Sequence, residues 1–226
     1  GTGGGEVVVV DAASFGVLRT IALRTSARPD AENQGRGVPN YLGAAAISPD
    51  GTQAWLPSKQ DNVERGVGRD GRPLDFQNTV RAISSRLDLQ ADAEDHASRL
   101  DHDNSSLATA AIYDRRGNYL FVALETSREV AVIDAHGRYE MFRIPVGRAP
   151  QGLALSPDGL QLYVGNFMDR TVGVFDLEPL VVRGIADLPA VTTLNAIGTE
   201  RLTTTVLAGK QFFYDARDPR LARDGY

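Results

Sequence analysis

Between residues 107 and 189 the apolar and polar positions fall into short runs that come twice. The first set is residues 110–113, 119–123 and 129–134; the second is residues 152–155, 162–166 and 171–176. Ile112 and Leu155 are 43 positions apart, and Asp134 and Asp176 are 42 apart. Runs of four to six residues rich in Val, Ile, Leu and aromatics, bounded by Asp and Gly, predict strands joined by tight turns. A period of about 40–45 residues carrying several such strands predicts the blades of a β-propeller. The runs are apolar at nearly every position, as expected for sheets covered on both faces.

The same pattern extends upstream. Val7 to Val10 is a β-branched run closed by Asp11, and residues 17–23 return, so residues 6–23 read as the last two strands of a blade. Residues 24–39 read as a polar loop. A further blade, residues 42–104, opens on Ala44, Ala45, Ala46 and Ile47, followed by Ser48-Pro49-Asp50-Gly51; the same four residues recur as Ser156-Pro157-Asp158-Gly159. Pro presets φ, Asp bonds the following backbone and Gly accepts positive φ, which makes this a turn between paired strands. The intervening copy, Asp114-Arg115-Arg116-Gly117, keeps only the Gly. Residues 58–78 interrupt the blade. Thr79-Val80-Arg81-Ala82-Ile83-Ser84 then aligns with Thr171–Asp176 as the returning third strand, and residues 87–100 fit either a fourth strand or a short helix. Complete blades are expected at 107–144 and 151–187. Residues 191–226 lose the pattern and read as a short helix near 209–215 and a loop.

The expected fold is therefore all-β. It is a partial propeller of three to four blades of four-stranded antiparallel sheet, spanning residues 1–190, with a non-propeller tail at 191–226. Four to eight blades usually close a ring, so further blades or other chains are expected to complete this one.

Composition narrows the chemistry. The 226 residues carry a net charge of −5, which gives no nucleic-acid footprint. The absence of cysteine excludes disulfides, thiolate metal sites and covalently attached haem within these residues. No apolar run reaches the roughly 18 residues of a membrane-spanning helix. The Gly-rich opening runs straight into a strand pattern, as an excised or mature piece would.

Asp92, Glu94, Asp95, Asp101 and Asp103, with His96, His102 and Asn104 among them, supply oxygen donors suited to Ca²⁺, although their spacing is not that of an EF-hand. The plainer expectation is a solvated acidic loop. His96, His102 and His136 show no ligand spacing, and His136 is expected at an exposed turn. Arg65, Arg69, Arg72 and Arg81 form a basic patch fitted to a partner's carboxylates, or to the acidic loop itself.

Asn166-x-x-Asp169-x-x-Val172-x-Val174-x-Asp176, with Ser156-Pro157-Asp158-Gly159 and Tyr163-Val164 before it, resembles the YVTN (YncE-like) propellers. The resemblance covers residues 6–187 and implies a seven-bladed ring. Leu124-Glu125-Thr126-Ser127 departs from it. The tail, with Gly209-Lys210-Gln211-Phe212-Phe213-Tyr214, Asp218-Pro219-Arg220 and Asp224-Gly225-Tyr226, resembles the segment leading into the first haem motif of di-haem cytochrome c peroxidase-like (MauG-like) proteins. The insertion, from Asn62-Val63-Glu64-Arg65-Gly66 through Arg72-Pro73-Leu74 to Asn78-Thr79-Val80-Arg81, looks like theirs too. These resemblances imply a periplasmic parent with c-type haem beyond Tyr226, the present residues being its non-catalytic scaffold or docking surface. Loops 24–39, 58–78 and 88–106 are its expected contact face. A binding propeller without cytochrome, or a lactonase-like propeller hydrolase, are the alternatives.

Overall fold

The chain was described from a computed structural model covering residues 5–25, 37–62 and 80–222. It divides into two compact units, Gly1–Asp103 and Asn104–Tyr226. Arg65, Arg69 and Arg72 lie outside the described residues, as do most of loops 24–39 and 58–78.

In the first unit, β1 (Glu6–Val10) and β2 (Val17–Ala22) form an antiparallel pair, the half blade that the sequence predicts. The next sheet is built on a long hairpin, β5 (Gln53–Asp61) and β6 (Val80–Asp88), nine residues on each side. Its flanking strands are broken. β3 (Val38–Asn40) and β4 (Ala46–Ile47) both pair with β5, and β7 (Ala93–Glu94) and β8 (Leu100–His102) both pair with β6. One four-stranded blade thus has each of its outer strands in two pieces. A 3₁₀ turn at His96–Ser98 fills the second break, so residues 87–100 are strand and helix in succession.

The register corrects one expectation. Gln53 pairs with Asp88, as Gln161 pairs with Asp176. Ile83 to Asp88, not Thr79 to Ser84, are therefore the counterparts of Thr171–Asp176. Residues 58–61 belong to the strand rather than to the insertion, because β5 and β6 outrun their counterparts by a further turn of pairing at the open end.

The second unit holds two complete meanders. β9 (Ala108–Tyr113), β10 (Tyr119–Leu124), β11 (Glu129–Asp134) and β12 (Tyr139–Pro145) form one; β13 (Pro150–Leu155), β14 (Gln161–Asn166), β15 (Thr171–Asp176) and β16 (Ala190–Asn195) form the other. The fourth strand of the last blade falls beyond residue 187, inside the stretch expected to be tail. A short helix, α1 (Glu178–Val181), intervenes. The tail also contains α2 (Thr204–Phe213), whose first turn is capped by the Thr203 hydroxyl accepting from the Val206 N–H.

The Ser-Pro-Asp-Gly turns behave as their chemistry dictates. The Asp50 and Asp158 carboxylates accept from the Ser48 and Ser156 hydroxyls and from the N–H groups of Thr52 and Leu160. These bonds hold both carboxyls below the usual carboxylate value. In the middle copy Asp114 does the same work, accepting from the Arg116 and Tyr119 N–H groups. The turn keeps its acceptor although the motif is gone.

Packing follows the alternation of side chains across each sheet. In the second unit Phe121, Val130 and Val132 project from one blade onto Leu162, Val164 and Phe175 of the next. In the first unit Ile21 and Leu23 meet Ala54, Leu56 and Leu87. The pairing places Trp55, Phe121 and Tyr163 at equivalent positions of three successive blades. Trp55 and Phe121 are fully buried, and Tyr163 is half-buried. Phe121→Ala is expected to cost ~3–5 kcal/mol in denaturant unfolding, the usual range for emptying a buried aromatic site. Tyr163→Ala at the equivalent position should cost clearly less.

Candidate functional site

Two polar clusters stand out, one in each unit. In the first, the acidic stretch is dealt out to arginines. Asp88 folds the chain back on itself, accepting from the Gln90 and Ala91 N–H groups, which lowers its pKa. Past this turn Asp92 pairs with Arg19 at 2.5 Å and Asp95 with Arg86 at 2.7 Å. Asp103 pairs with Arg81. Asp101 accepts from the Gln60 side chain at 3.4 Å. Glu94, on β7, points inward, where the Arg99 guanidinium reaches its Oε1 through Nε at 2.8 Å and Nη2 at 2.6 Å. The same guanidinium donates to the Arg24 carbonyl at 2.8 Å and the Gln60 side-chain oxygen at 3.3 Å. One buried ion pair thus ties the end of the half blade to the hairpin and to β7. Arg81 is the one member of the expected basic patch among the described residues, and it meets Asp103 of the acidic stretch. Among the described residues no group of three His, Asp or Glu is placed to hold a metal ion.

His102 and Ser84 are joined at 2.8 Å between His Nε2 and Ser Oγ. A serine and a histidine 18 positions apart carry no motif, so the sequence could not announce this pair. Both are 1 % exposed or less. The contact is a cross-strand bond inside the sheet rather than a nucleophile presented to a substrate. His136 sits exposed at the β11–β12 turn, as expected.

In the second unit the cluster lies on the loops joining β10 to β11 and β14 to β15. Arg128 and Arg170 occupy equivalent places in these turns, both with positive φ. Each meets an acid from the tail: Arg170 pairs with Glu200 at 3.0 Å and Arg128 with Asp215 at 3.3 Å. Asp215 is buried and also accepts from Arg148 Nε at 3.0 Å. Arg148 in turn holds Asp169, the motif carboxylate. Gln211 donates to the Met168 carbonyl, the Ala216 N–H donates to the Thr126 carbonyl, and Arg217 reaches Glu129. The stretch expected to be a linker is therefore seated on the blade loops through residue 217. Of this seat, sequence reasoning had pointed to Asp169, to Thr126 and to Gln211 of the tail segment, but to none of the arginines that join them.

Glu125 stands where the repeat motif loses its pattern. It is buried, and its only side-chain partner among the described residues is the Gln151 amide at 3.0 Å. Burial pushes its pKa up, and the amide offsets this in part. No nucleophile pairs with it among the described residues.

No family model matches the chain, and no curated protein matches its sequence. Solved structures do. The Dos1 propeller is 11% identical with a TM-score of 0.53, covering 89% of this chain and 45% of its own. Hydrazine synthase of Kuenenia stuttgartiensis is 15% identical with a TM-score of 0.49, covering 76% of this chain and 64% of its own. The Cps50 (Swd1) β-propeller domain of Myceliophteria thermophila is 17% identical with a TM-score of 0.43, covering 84% and 65%. The chain thus spans less than two thirds of the length of each.

Two outcomes follow from the clusters. Arg99→Ala is expected to cost ~3–5 kcal/mol in denaturant unfolding, because it leaves buried Glu94 without its guanidinium and with only the Arg24 N–H at 3.4 Å and His96 Nε2 at 3.5 Å nearby; Glu94→Gln with Arg99→Met should be much milder. Glu125→Gln should raise the melting temperature at neutral pH. The native state binds the Glu125 proton more tightly than the unfolded chain does, so ionisation at higher pH costs the wild type stability. The gain should vanish as pH falls below the ordinary glutamate range, and a pH series of thermal melts reads this directly. The chain adopts an all-β fold of four-stranded antiparallel sheets, a partial β-propeller.

Proposed function

We propose that this chain is the non-catalytic propeller region of an extracytoplasmic electron-transfer protein, and that it seats a c-type cytochrome module of the di-haem peroxidase-like kind. The observation that carries the reading is the seat of the tail. Residues 200–217, which run into the stretch from Leu207 that resembles the approach to a haem motif, are held on two successive blade loops by Glu200, Gln211, Asp215 and Arg217. A module joined there would be held in a fixed place rather than on a free tether. The propeller's part is then presentation: rigid blades hold loops for a partner to read.

The test is an intact mass of the protein from its natural source with an absorbance spectrum of the same sample. A mass well above 24.3 kDa together with the Soret band of c-type haem is the expected result. A mass equal to that of the chain and no Soret band would overturn the proposal and leave a stand-alone binding propeller.

A further inference from the structure

Each blade ends on the open edge of its outermost strand. An open edge is a row of N–H and C=O groups that another strand can pair with. Stacking further blades on either face of a sheet leaves that edge as it is. The chain guards two of these edges. β12 carries Glu140 and Arg143, which pair with each other at 2.6 Å, and closes on Pro145. In the first unit the outer strand is in two pieces, β7 and β8, with a 3₁₀ turn between them and Glu94, Asp101 and His102 within them.

β16 has none of these devices. Residues 188–199 carry no charge, and the strand holds no proline. Its six residues are all exposed, and β15 is its only strand partner among the described residues. β12 and β16 share a bulge, opposite Val132–Ile133 and Val174–Phe175, so the bulge does not set them apart.

The pairing says which groups face out. The Ala196 N–H donates to the Arg170 carbonyl, toward β15. Alternation along an antiparallel ladder turns Leu194 and Thr192 inward as well, and leaves the N–H and C=O groups of Thr193 and Asn195 pointing away.

We infer that β16 pairs antiparallel with β16 of a second copy, centred on Thr193, so that two four-stranded blades join into one continuous sheet. The strand is uncharged, so identical strands meet without repulsion. Centring on Thr193 sets Thr192 opposite Leu194, and β-branched and apolar residues pair well across strands. The contact is isologous, which uses up both open edges and lets the assembly grow no further.

Sedimentation velocity of the 226-residue chain over a wide concentration range reads the association. The wild-type mass should rise from 24.3 kDa toward twice that value and stop there. Thr193→Pro removes an outward N–H and no bond to β15, so it should stay monomeric. Thr193→Lys and Thr193→Glu should each be monomeric too, since like charges meet across the contact. Their equimolar mixture should recover the dimer. Thr193 lies on the opposite face of the sheet from Val172 and Leu194, which are half-buried and 49 % exposed. Association through that apolar face would therefore persist in all three variants. Circular dichroism confirms folding, and the charged pair carries the test if the proline variant unfolds. A wild type monomeric at every concentration overturns the inference and leaves the edge to an extended segment of another protein. A dimer unchanged by the Thr193 substitutions overturns it as well, as does a mixture that fails to associate. The cytochrome reading rests on the tail and on haem, and none of these results bears on it.

Discussion

A sheet with apolar side chains on both faces loses stability wherever one of them is left in water. In β11 Val130, Ala131, Val132 and Ile133 are all fully buried, although they alternate between opposite faces. Every other feature answers to this requirement. Blades must stack, stacking fixes which residues of each strand meet the neighbour, and the loops at the blade ends inherit fixed positions. The buried charge of Glu94 is paired with Arg99, and Ser84 is bonded to His102.

The loops then become the place where charge is organised. Equivalent turn arginines, Arg128 and Arg170, receive acids from one tail. The two blades of the second unit are thereby clamped at their ends as well as through their cores. An exposed ion pair alone contributes little, but Asp215 is buried between two guanidiniums, where a lost partner leaves a charge in low dielectric. The tail is thus part of the second unit's architecture and not an appendage.

The repeat was legible because its spacing is kept to within a residue and because apolar runs bounded by Asp and Gly have few other readings. It pointed to the paired strands β9 to β12, β13 to β15 and β1 with β2. The broken outer strands were not legible: pieces of two or three residues, such as Ala46–Ile47 and Ala93–Glu94, carry no periodicity. β16 was missed for a related reason. Its six residues are exposed on both faces, so no alternation marks them. The polar clusters escaped because their partners are distant in sequence; Arg99 reaches back to Arg24, and Asp215 to Arg128. The acidic stretch was visible, but its meaning depended on arginines that the fold supplies from other strands.

The claim that face coverage stabilises each blade is tested most directly by native-state hydrogen exchange. At low concentration, amides of β10 and β11 should exchange far more slowly than their partners at equivalent positions of β14 and β15. Equal protection in the two blades would contradict the account, since it would mean that an uncovered apolar face costs the sheet nothing.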